Sequence, residues 1–319
     1  MKRRIACGSC KARARAKCAT PLGPAAKRGL RMPTGSWRQR AKLPAVRRPL
    51  LLVALALSSA SACRESDEHA AAGGTAGTGG SGAWAGTSSG GGSAACTSVP
   101  AVVSFLTDDG VQLEADDYPT GEGLGPSVVL LHMIPPANDR SNYPKGFIDA
   151  LVAKQIRVLN VDRRGAGASE GDPLEAYTGD KGKLDAKAAM LHLTSGACGV
   201  DPLRIGVVGA SNGTTTALDY AIHASANTEL LFPSALVFLT GGAYTENQNS
   251  LGAHHDELDQ VPIQFVFSAA ESAWSKGYQN GAPSAWRFQE YDPGDHGTNM
   301  FEARPESIDA VVGFLAEVL

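Results

Sequence analysis

The chain is organised around one segment, which reads Arg204-Ile-Gly-Val-Val-Gly-Ala-Ser-Asn-Gly-Thr-Thr-Thr-Ala-Leu218. It predicts a buried β-strand, a sharp bend at Ser211 and the start of a helix. Gly209 and Gly213 flank the serine at equal distances, where a Cβ would collide as the chain folds back. The bend would expose the Ser211 hydroxyl beside helix N-terminal amides, which can stabilise an oxyanion. Ser211 is therefore the candidate nucleophile.

The pattern Gly-x-Ser-x-Gly is a weak signal by itself. Gly86-Thr-Ser-Ser-Gly90 also matches it, but no strand pattern precedes that copy and no helix pattern follows it. Because the chain contains 37 glycines, some matches arise from composition. The neighbouring residues therefore select Ser211.

Charge divides the 319 residues into two regions. Residues 1–63 contain no Asp or Glu but 15 of the 29 Lys and Arg. The remaining residues hold 14 basic against 32 acidic side chains, a formal balance of −18 that the overall net charge of −3 hides. Since a region this acidic matches phosphate backbones poorly, we expect no nucleic-acid partner.

The basic region ends in the manner of an export signal. Arg47-Arg48-Pro49 precedes an apolar run at residues 50–57, which small residues and Cys63 follow. The run is shorter than the roughly 20 residues that span a membrane, so residues 32–62 are interpreted as a signal peptide. Ala60-Ser-Ala-Cys63 resembles the lipobox of bacterial lipoproteins, although that family usually has Leu where Ala60 stands. The resemblance implies lipidation of Cys63 and an exported protein anchored in the bacterial cell envelope; the alternative is an ordinary secretory signal and a secreted protein.

Two other N-terminal segments flank this signal. Residues 1–31 are interpreted as a start-site artefact or a basic extension, since Met32 is a more natural start. Cys7, Cys10 and Cys18 in this segment lack a fourth ligand, so we expect no metal. Residues 63–95 are rich in Gly, Ser, Ala and Thr and predict a flexible tether.

Residues 96–319 predict a single α/β domain of ordinary size. Buried strand patterns alternate with helical patterns, which indicates a mostly parallel central sheet with helices on both faces. Apart from the segment around Ser211, strands are expected at 101–106, 111–115, 127–133, 157–162, 235–239, 263–267 and 286–291, and helices at 147–154, 184–193 and 305–318. Ligands of such sheets bind at the carboxyl ends of the strands, where Ser211 lies.

A serine hydroxyl needs a base that takes its proton. Among the seven histidines, His296 lies in a loop directly after the last strand, on the expected rim of the sheet. His132 is expected to support a loop. The other five lie in helices, a polar loop or the tether, where a satisfied or solvated side chain is the simpler interpretation.

The base in turn needs an acid that fixes its tautomer. Glu271 ends a strand and lies between Ser211 and His296 in chain order, as expected when the elbow comes first. A solvated glutamate is the alternative, and the rival acids are Glu246, Asp292 and Asp295. We expect the oxyanion hole to use the backbone amides of Asn212 and Met133, the latter in the loop after the strand at 127–133.

Taken together, the motifs resemble an α/β-hydrolase of the dienelactone-hydrolase-like type. The resemblance spans residues 100–319 and is carried by Leu131-His-Met133, Arg140, the segment from Asn160 to Ser169, Gly209-Ala-Ser-Asn-Gly213, the strand that begins at Pro262 and Gly294-Asp-His-Gly-Thr298. It implies a serine hydrolase that acts through an acyl-enzyme, with Ser211 as nucleophile, His296 as base and Glu271 as acid.

Three positions depart from the usual pattern of that family. Most relatives have Asp where Glu271 stands, and Glu is one methylene longer. The usual His-Gly of the oxyanion loop is His132-Met133 here, which would narrow the site. Dienelactone hydrolases proper use Cys as nucleophile, so Ser211 indicates esterase-like chemistry.

Two further segments bear on the site. Asp162-Arg-Arg-Gly-Ala-Gly167 lacks the Gly-Lys-Ser/Thr of a phosphate loop and is interpreted as a structural bend, in which Arg163 or Arg164 ties loops together. Lipases that resemble this chain insert a helical lid at the position of residues 240–261, which are short and polar here. We therefore expect an open site without a substantial lid, and Trp274 is a candidate lining residue.

Cys96 and Cys198 are the cysteines that follow the lipid site, and an exported domain meets an oxidising compartment. We predict a disulfide between them that serves stability.

The sequence thus predicts an exported serine hydrolase, a carboxylesterase for small or short-chain esters, that needs no cofactor. Its partners would be the ester substrate and, through Cys63, the membrane. Two alternatives stay open: a non-catalytic surface binding protein on the same scaffold, and an amide hydrolase with the same triad.

Overall fold

A computed structural model describes residues 99–121, 123–195, 199–245 and 251–319. Cys63, Cys96, Cys198 and Glu246 lie outside these residues, so the lipid site and the disulfide stay predictions. No helix within the described ranges is long and apolar enough to cross a membrane.

The centre of the domain is an eight-stranded sheet with the strand order β1-β2-β4-β3-β5-β6-β7-β8. Its strands are β1 Ala101–Leu106, β2 Gln112–Tyr118, β3 Gly125–Leu131, β4 Arg157–Val161, β5 Val200–Ala210, β6 Ala235–Leu239, β7 Ile263–Ser268 and β8 Trp286–Tyr291. Strands β1 and β2 run antiparallel to their neighbours, and β3 to β8 pair in parallel. The expected mostly parallel sheet is confirmed.

Helices cover both faces of the sheet. They are α1 Lys145–Ala153, α2 Gly182–Ser195, α3 Asn212–Ser225, α4 His255–Leu258, α5 Ala273–Gln279, α6 Met300–Ala303 and α7 Glu306–Val318. Successive strand residues point to opposite faces, so Val129 packs in the apolar cluster that contains Met190 of α2 and Tyr220 of α3. Its neighbour Val128 packs in the cluster that contains Phe147 of α1 and Leu315 of α7. Burial on both faces explains why the central strands are almost wholly apolar.

The parallel register brings the functional loops to one edge of the sheet. Leu131 of β3 pairs with Gly209 of β5, and Ala210 of β5 pairs with Leu239 of β6. Farther along, Leu239 pairs with Val266 of β7, and Ser268 pairs with Tyr291 of β8. The loops that leave β3, β5, β6, β7 and β8 therefore begin side by side, where α/β sheets bind ligands.

Most element boundaries agree with the expectations within a few residues. Strand β2 continues to Tyr118, beyond the expected end at 115, because residues 115–118 also pair with β4. Strand β5 begins early, at Val200, which pairs with Gly125. Between β6 and β7, the described residues contain one 3-10 turn, Leu251–His254, and the single-turn α4; no longer lid helix lies among them.

Candidate active site

Ser211 lies on a strained elbow between β5 and α3. Its backbone has a φ of +50°, a region that residues other than glycine seldom adopt. A Cβ at Gly209 would lie 2.4 Å from the carbonyl oxygen of Gly213, and one at Gly213 would lie 2.3 Å from the carbonyl oxygen of Leu131. Both glycines are therefore required by close backbone approach. The amide of Ser211 donates to the carbonyl of Leu239 at 2.8 Å, which fixes the elbow to β6.

His296 and Glu271 meet Ser211 in one hydrogen-bonded chain. The Ser211 Oγ lies 2.6 Å from Nε2 of His296. On the other side of the ring, Nδ1 lies 3.0 Å from both Oε1 and Oε2 of Glu271. Since a carboxylate can only accept, Nδ1 carries the proton and Nε2 accepts from the serine hydroxyl. This is the tautomer that a general base for Ser211 needs.

The three side chains differ in their exposure. Ser211 is only 6% exposed, whereas the side chains of His296 and Glu271 are 34% and 43% exposed. His296 follows β8, and Glu271 ends a 3-10 turn that follows β7. Because the nucleophile is covered and the base and acid are more exposed, solvent reaches the site from the side of His296.

The loop of His296 is tied to the end of β6 through Thr240. The amide of Gly297 donates to Thr240 Oγ1 at 2.9 Å, a buried hydrogen bond. Thr240 itself has a φ of +53°, a genuine outlier for a β-branched residue. Such strain persists where the surrounding structure enforces it, and it concentrates at functional sites.

The loop after β3 is held by a buried histidine and a buried arginine. Nε2 of His132 accepts from the amide of Arg163 at 2.9 Å, and its Nδ1 donates to the carbonyl of Met133 at 2.7 Å. Burial, together with the nearby cation of Arg163, lowers the pKa of His132 to about 3. His132 is therefore neutral and supports the loop, as expected.

Arg163 also sets the direction of the Met133 amide. Its Nη1 donates to the carbonyl of His132 at 3.2 Å. In a trans peptide the N–H points away from the preceding C=O, so this bond directs the Met133 N–H away from the guanidinium. The Met133 sulfur packs against Gly297, where a Cβ added to the glycine would lie only 2.6 Å from it. The same added Cβ would lie 3.6 Å from the Cβ of Ser211, so the Met133 side chain is close to the nucleophile.

Asn212 is the first residue of α3, so its amide precedes the intrahelical hydrogen bonds. Gly213 packs directly on the backbone of Leu131 and His132, which brings the start of α3 next to the loop of Met133. The side-chain nitrogen and oxygen of Asn212 are buried without a hydrogen-bond partner among the described residues.

Comparison with solved structures identifies the fold. No protein-family model and no curated protein sequence matches the chain. An esterase from Pyrococcus furiosus is 21% identical, covers 69% of this chain and 92% of that chain, and has a TM-score of 0.50. An α/β-hydrolase from Penicillium sp. sh18 is 13% identical, covers 69% of this chain and 98% of that chain, and has a TM-score of 0.51. The chain has the α/β-hydrolase fold.

A dienelactone hydrolase from Anabaena variabilis ATCC 29413 is also similar. It is 18% identical, covers 69% of this chain and 95% of that chain, and has a TM-score of 0.48. At that level of similarity, the link to dienelactone hydrolases rests on the sequence motifs and not on the fold comparison.

The bend after β4 has a structural role. A Cβ on Gly165 would lie 2.2 Å from the Pro173 nitrogen, and one on Gly167 would lie 2.0 Å from Asp162 Oδ2. Arg163 reaches the carbonyl of Ala176 and the hydroxyl of Thr216 in α3 at 2.7 and 2.8 Å. The bend therefore ties loops together, as the sequence predicts.

Arg164 makes a separate buried ion pair below this bend. Its Nε donates to Asp185 Oδ1 at 2.8 Å, and both side chains are fully buried. The Nη1 of Arg164 lies 2.9 Å from Asp109, whose pKa falls to about 2, chiefly through the hydrogen bond from that guanidinium. Arg164 thus joins α2 to the turn between β1 and β2.

The rival candidates make other contacts. Asp295 accepts from the backbone amide of His296 at 2.6 Å, so it shapes the loop rather than contacting the ring. The backbone carbonyl of Asp292 accepts from Arg304. Among the other histidines, His192 stacks on Phe105 with 4.8 Å between ring centroids. Glu246 lies outside the described residues.

Two aromatic residues near the end of β6 have different environments. Trp274 packs over Gly241 and against Phe238 and Phe265, so its ring extends the apolar core. Tyr244, which the sequence does not single out, meets His296 edge to face, with 6.1 Å between centroids and 84° between planes. The pKa of Tyr244 is raised mainly by burial and, to a smaller extent, by the negative charge of Glu271.

Proposed function

We propose that this protein is a serine hydrolase, specifically a carboxylesterase that cleaves small or short-chain esters through an acyl-enzyme. The observation that carries the proposal is the hydrogen-bonded chain of Ser211, His296 and Glu271, with a 2.6 Å contact between nucleophile and base. The strained elbow aims that serine at the start of α3, where negative charge is stabilised.

The proposed reaction proceeds in two halves. As Ser211 Oγ attacks the ester carbonyl, His296 Nε2 takes its proton, and Glu271 stabilises the imidazolium. The amides of Met133 and Asn212 would donate to the oxyanion of the tetrahedral intermediate. Its collapse breaks the bond to the leaving oxygen, which takes the proton from His296. Water then attacks the acyl-enzyme by the same route and releases the carboxylic acid.

The size of the proposed substrate follows from what surrounds Ser211. The Met133 side chain packs on Gly297, beside the Cβ of Ser211, where the family resemblance leads us to expect a glycine at position 133. Met133 thus occupies space beside the nucleophile that a long or branched acyl chain would need. We therefore propose acetyl and other short acyl esters as the substrate class.

The non-catalytic alternative fits these observations less well. A positive φ at a residue other than glycine costs about 1–3 kcal/mol, and both Ser211 and Thr240 carry this strain. A binding scaffold has no need of a serine hydroxyl held 2.6 Å from an imidazole nitrogen. An amide hydrolase would use the same groups, so only substrates distinguish it from an esterase.

The test is hydrolysis of p-nitrophenyl acetate, butyrate and octanoate, with p-nitroacetanilide as the matched amide. We expect wild-type turnover that is highest for the acetate, and a loss of about a thousandfold or more in Ser211→Ala. Turnover of the anilide at a comparable rate would favour the amide hydrolase. Equal rates in wild type and Ser211→Ala, or no turnover of any of these substrates, would contradict the proposal.

We also propose that the protein is exported and anchored through a lipid on Cys63. The support is the resemblance of Ala60-Ser-Ala-Cys63 to a lipobox after a basic and then apolar segment. In a bacterial host, radiolabelled palmitate should enter the full-length protein but not Cys63→Ser. If the wild type stays unlabelled and appears in the medium, the secreted alternative is correct.

A further inference from the structure

The loop that follows β6 folds back over Ser211. It reads Thr240-Gly-Gly-Ala-Tyr244. A Cβ on Gly241 would lie 2.2 Å from the Trp274 ring, and one on Gly242 would lie 2.9 Å from Cζ of Tyr244. The two glycines thus allow the chain to pass between two aromatic rings, which fixes Tyr244 at the site.

The Tyr244 hydroxyl is held by the loop close to the nucleophile. It donates to the backbone carbonyl of Thr240 and lies near the Ser211 side chain. The ring meets His296 edge to face. The backbone carbonyl of Thr240 therefore accepts from Tyr244, and the hydroxyl of Thr240 accepts from the amide of Gly297.

The sheet order defines which side of Ser211 this tyrosine occupies. Strand β5 carries Ser211 and lies between β3, which leads to Met133, and β6, which leads to Tyr244. The loop of Tyr244 thus begins on the side of Ser211 opposite the strand that leads to Met133, and its ring contacts His296. In the tetrahedral intermediate, the oxygen on the side of the base is the leaving oxygen, whereas the oxyanion faces the backbone amides.

We propose that Tyr244 is a catalytic residue that donates a hydrogen bond to the leaving oxygen as the ester bond breaks. This inference rests on the proposed function. In the resting site the hydroxyl proton points to the Thr240 carbonyl; as negative charge grows on the leaving oxygen, it turns to that stronger acceptor. His296 supplies the proton that the leaving group keeps, and Tyr244 retains its own. Because its pKa is raised, the phenol stays a donor at neutral pH.

The proposal predicts a dependence on the leaving group. Ethoxide is a poor leaving group that needs donors, whereas p-nitrophenolate carries its charge without help. Tyr244→Phe removes only the hydroxyl and keeps the ring against His296. A lost hydrogen bond to a charged oxygen corresponds to a drop of about tenfold or more in rate.

The experiment compares kcat/KM for ethyl acetate and p-nitrophenyl acetate, which form the same acyl-enzyme. For Tyr244→Phe we expect a loss of about tenfold or more with ethyl acetate, in kcat rather than KM, but less than about threefold with p-nitrophenyl acetate. Retained p-nitrophenyl acetate turnover also shows that the variant is folded. Tyr220→Phe in α3 is the matched control, since it also loses a hydroxyl bond to a carbonyl, that of Leu231 at 2.6 Å in the segment after the helix.

Three outcomes would overturn the proposal. Equal losses with both esters would place Tyr244 at the oxyanion or in a structural role. Unchanged kcat/KM with both esters would remove it from catalysis while leaving the esterase intact. A wild-type protein that hydrolyses neither ester would refute the proposed function and this inference together.

Discussion

His132 should make the folding stability of this protein fall at mildly acidic pH. Its Nε2 is occupied by the amide hydrogen of Arg163 at 2.9 Å, and the ring is fully buried. Protonation in the folded state would break that bond and place a second cation beside Arg163. Burial and that cation accordingly lower the pKa of His132 from 6.5 to about 3.

The sign and size of the effect follow from linkage. An unfolded chain takes up a proton on this side chain as the pH falls through 6.5, and the folded protein does so only near about 3. The free energy of unfolding is therefore highest above the unfolded-state pKa of 6.5, and it decreases as the pH falls towards the folded-state pKa of about 3. Each pKa unit corresponds to 1.36 kcal/mol, so the loss between about pH 7 and pH 5 is about 2 kcal/mol.

The assay is urea denaturation of wild type and His132→Gln at both pH values. The variant cannot titrate at this position, so the other ionisable groups cancel in the comparison. We expect wild type to lose about 2 kcal/mol more than the variant over this interval. His255→Gln, at the surface, controls for the loss of an imidazole. Equal losses in wild type and His132→Gln would refute the argument that burial holds His132 neutral.

Two further predictions concern Thr240 and the cysteines. Thr240→Val keeps the β-branched shape but leaves the buried Gly297 amide without its acceptor, at a cost of about 1–3 kcal/mol, so ester hydrolysis and the melting temperature should both fall. Thr240→Ser keeps the hydroxyl and should retain most of both; a valine variant as active as the serine variant would contradict this positioning role. For Cys96 and Cys198, thiol titration of the denatured exported protein should find neither thiol free, and two free thiols would exclude the predicted disulfide.

The sequence predicts the fold and the elbow well because their signals are local. A Cβ on Gly209 would lie 2.4 Å from the carbonyl oxygen of Gly213, and one on Gly213 would lie 2.3 Å from that of Leu131 in the neighbouring strand. The chain next to Ser211 therefore needs glycine at both positions. The buried central strands are nearly continuous apolar runs, which is typical of parallel sheets. The short helices α4, α5 and α6 lack enough turns to show a period, so no helix pattern indicates them.

The candidate site is only partly readable from the sequence. Chain order and the position of loops after strands suffice to nominate Glu271 and His296, and the structure brings both to Ser211. The positions of Tyr244 and Thr240 at the site depend on a backbone turn after β6. The spacing of residues along the sequence does not reveal that turn. The Gly-Gly pair after Thr240 is the one local signal of that turn.

The central claim is that Ser211 is a nucleophile activated by His296. The most direct measurement is the reaction of the purified protein with a fluorophosphonate probe, followed by peptide mass spectrometry. The account predicts about one label per chain on Ser211, none in Ser211→Ala, and labelling slowed by at least about a hundredfold in His296→Ala. No label on the wild type, or a label that persists in Ser211→Ala at the wild-type rate, would contradict it.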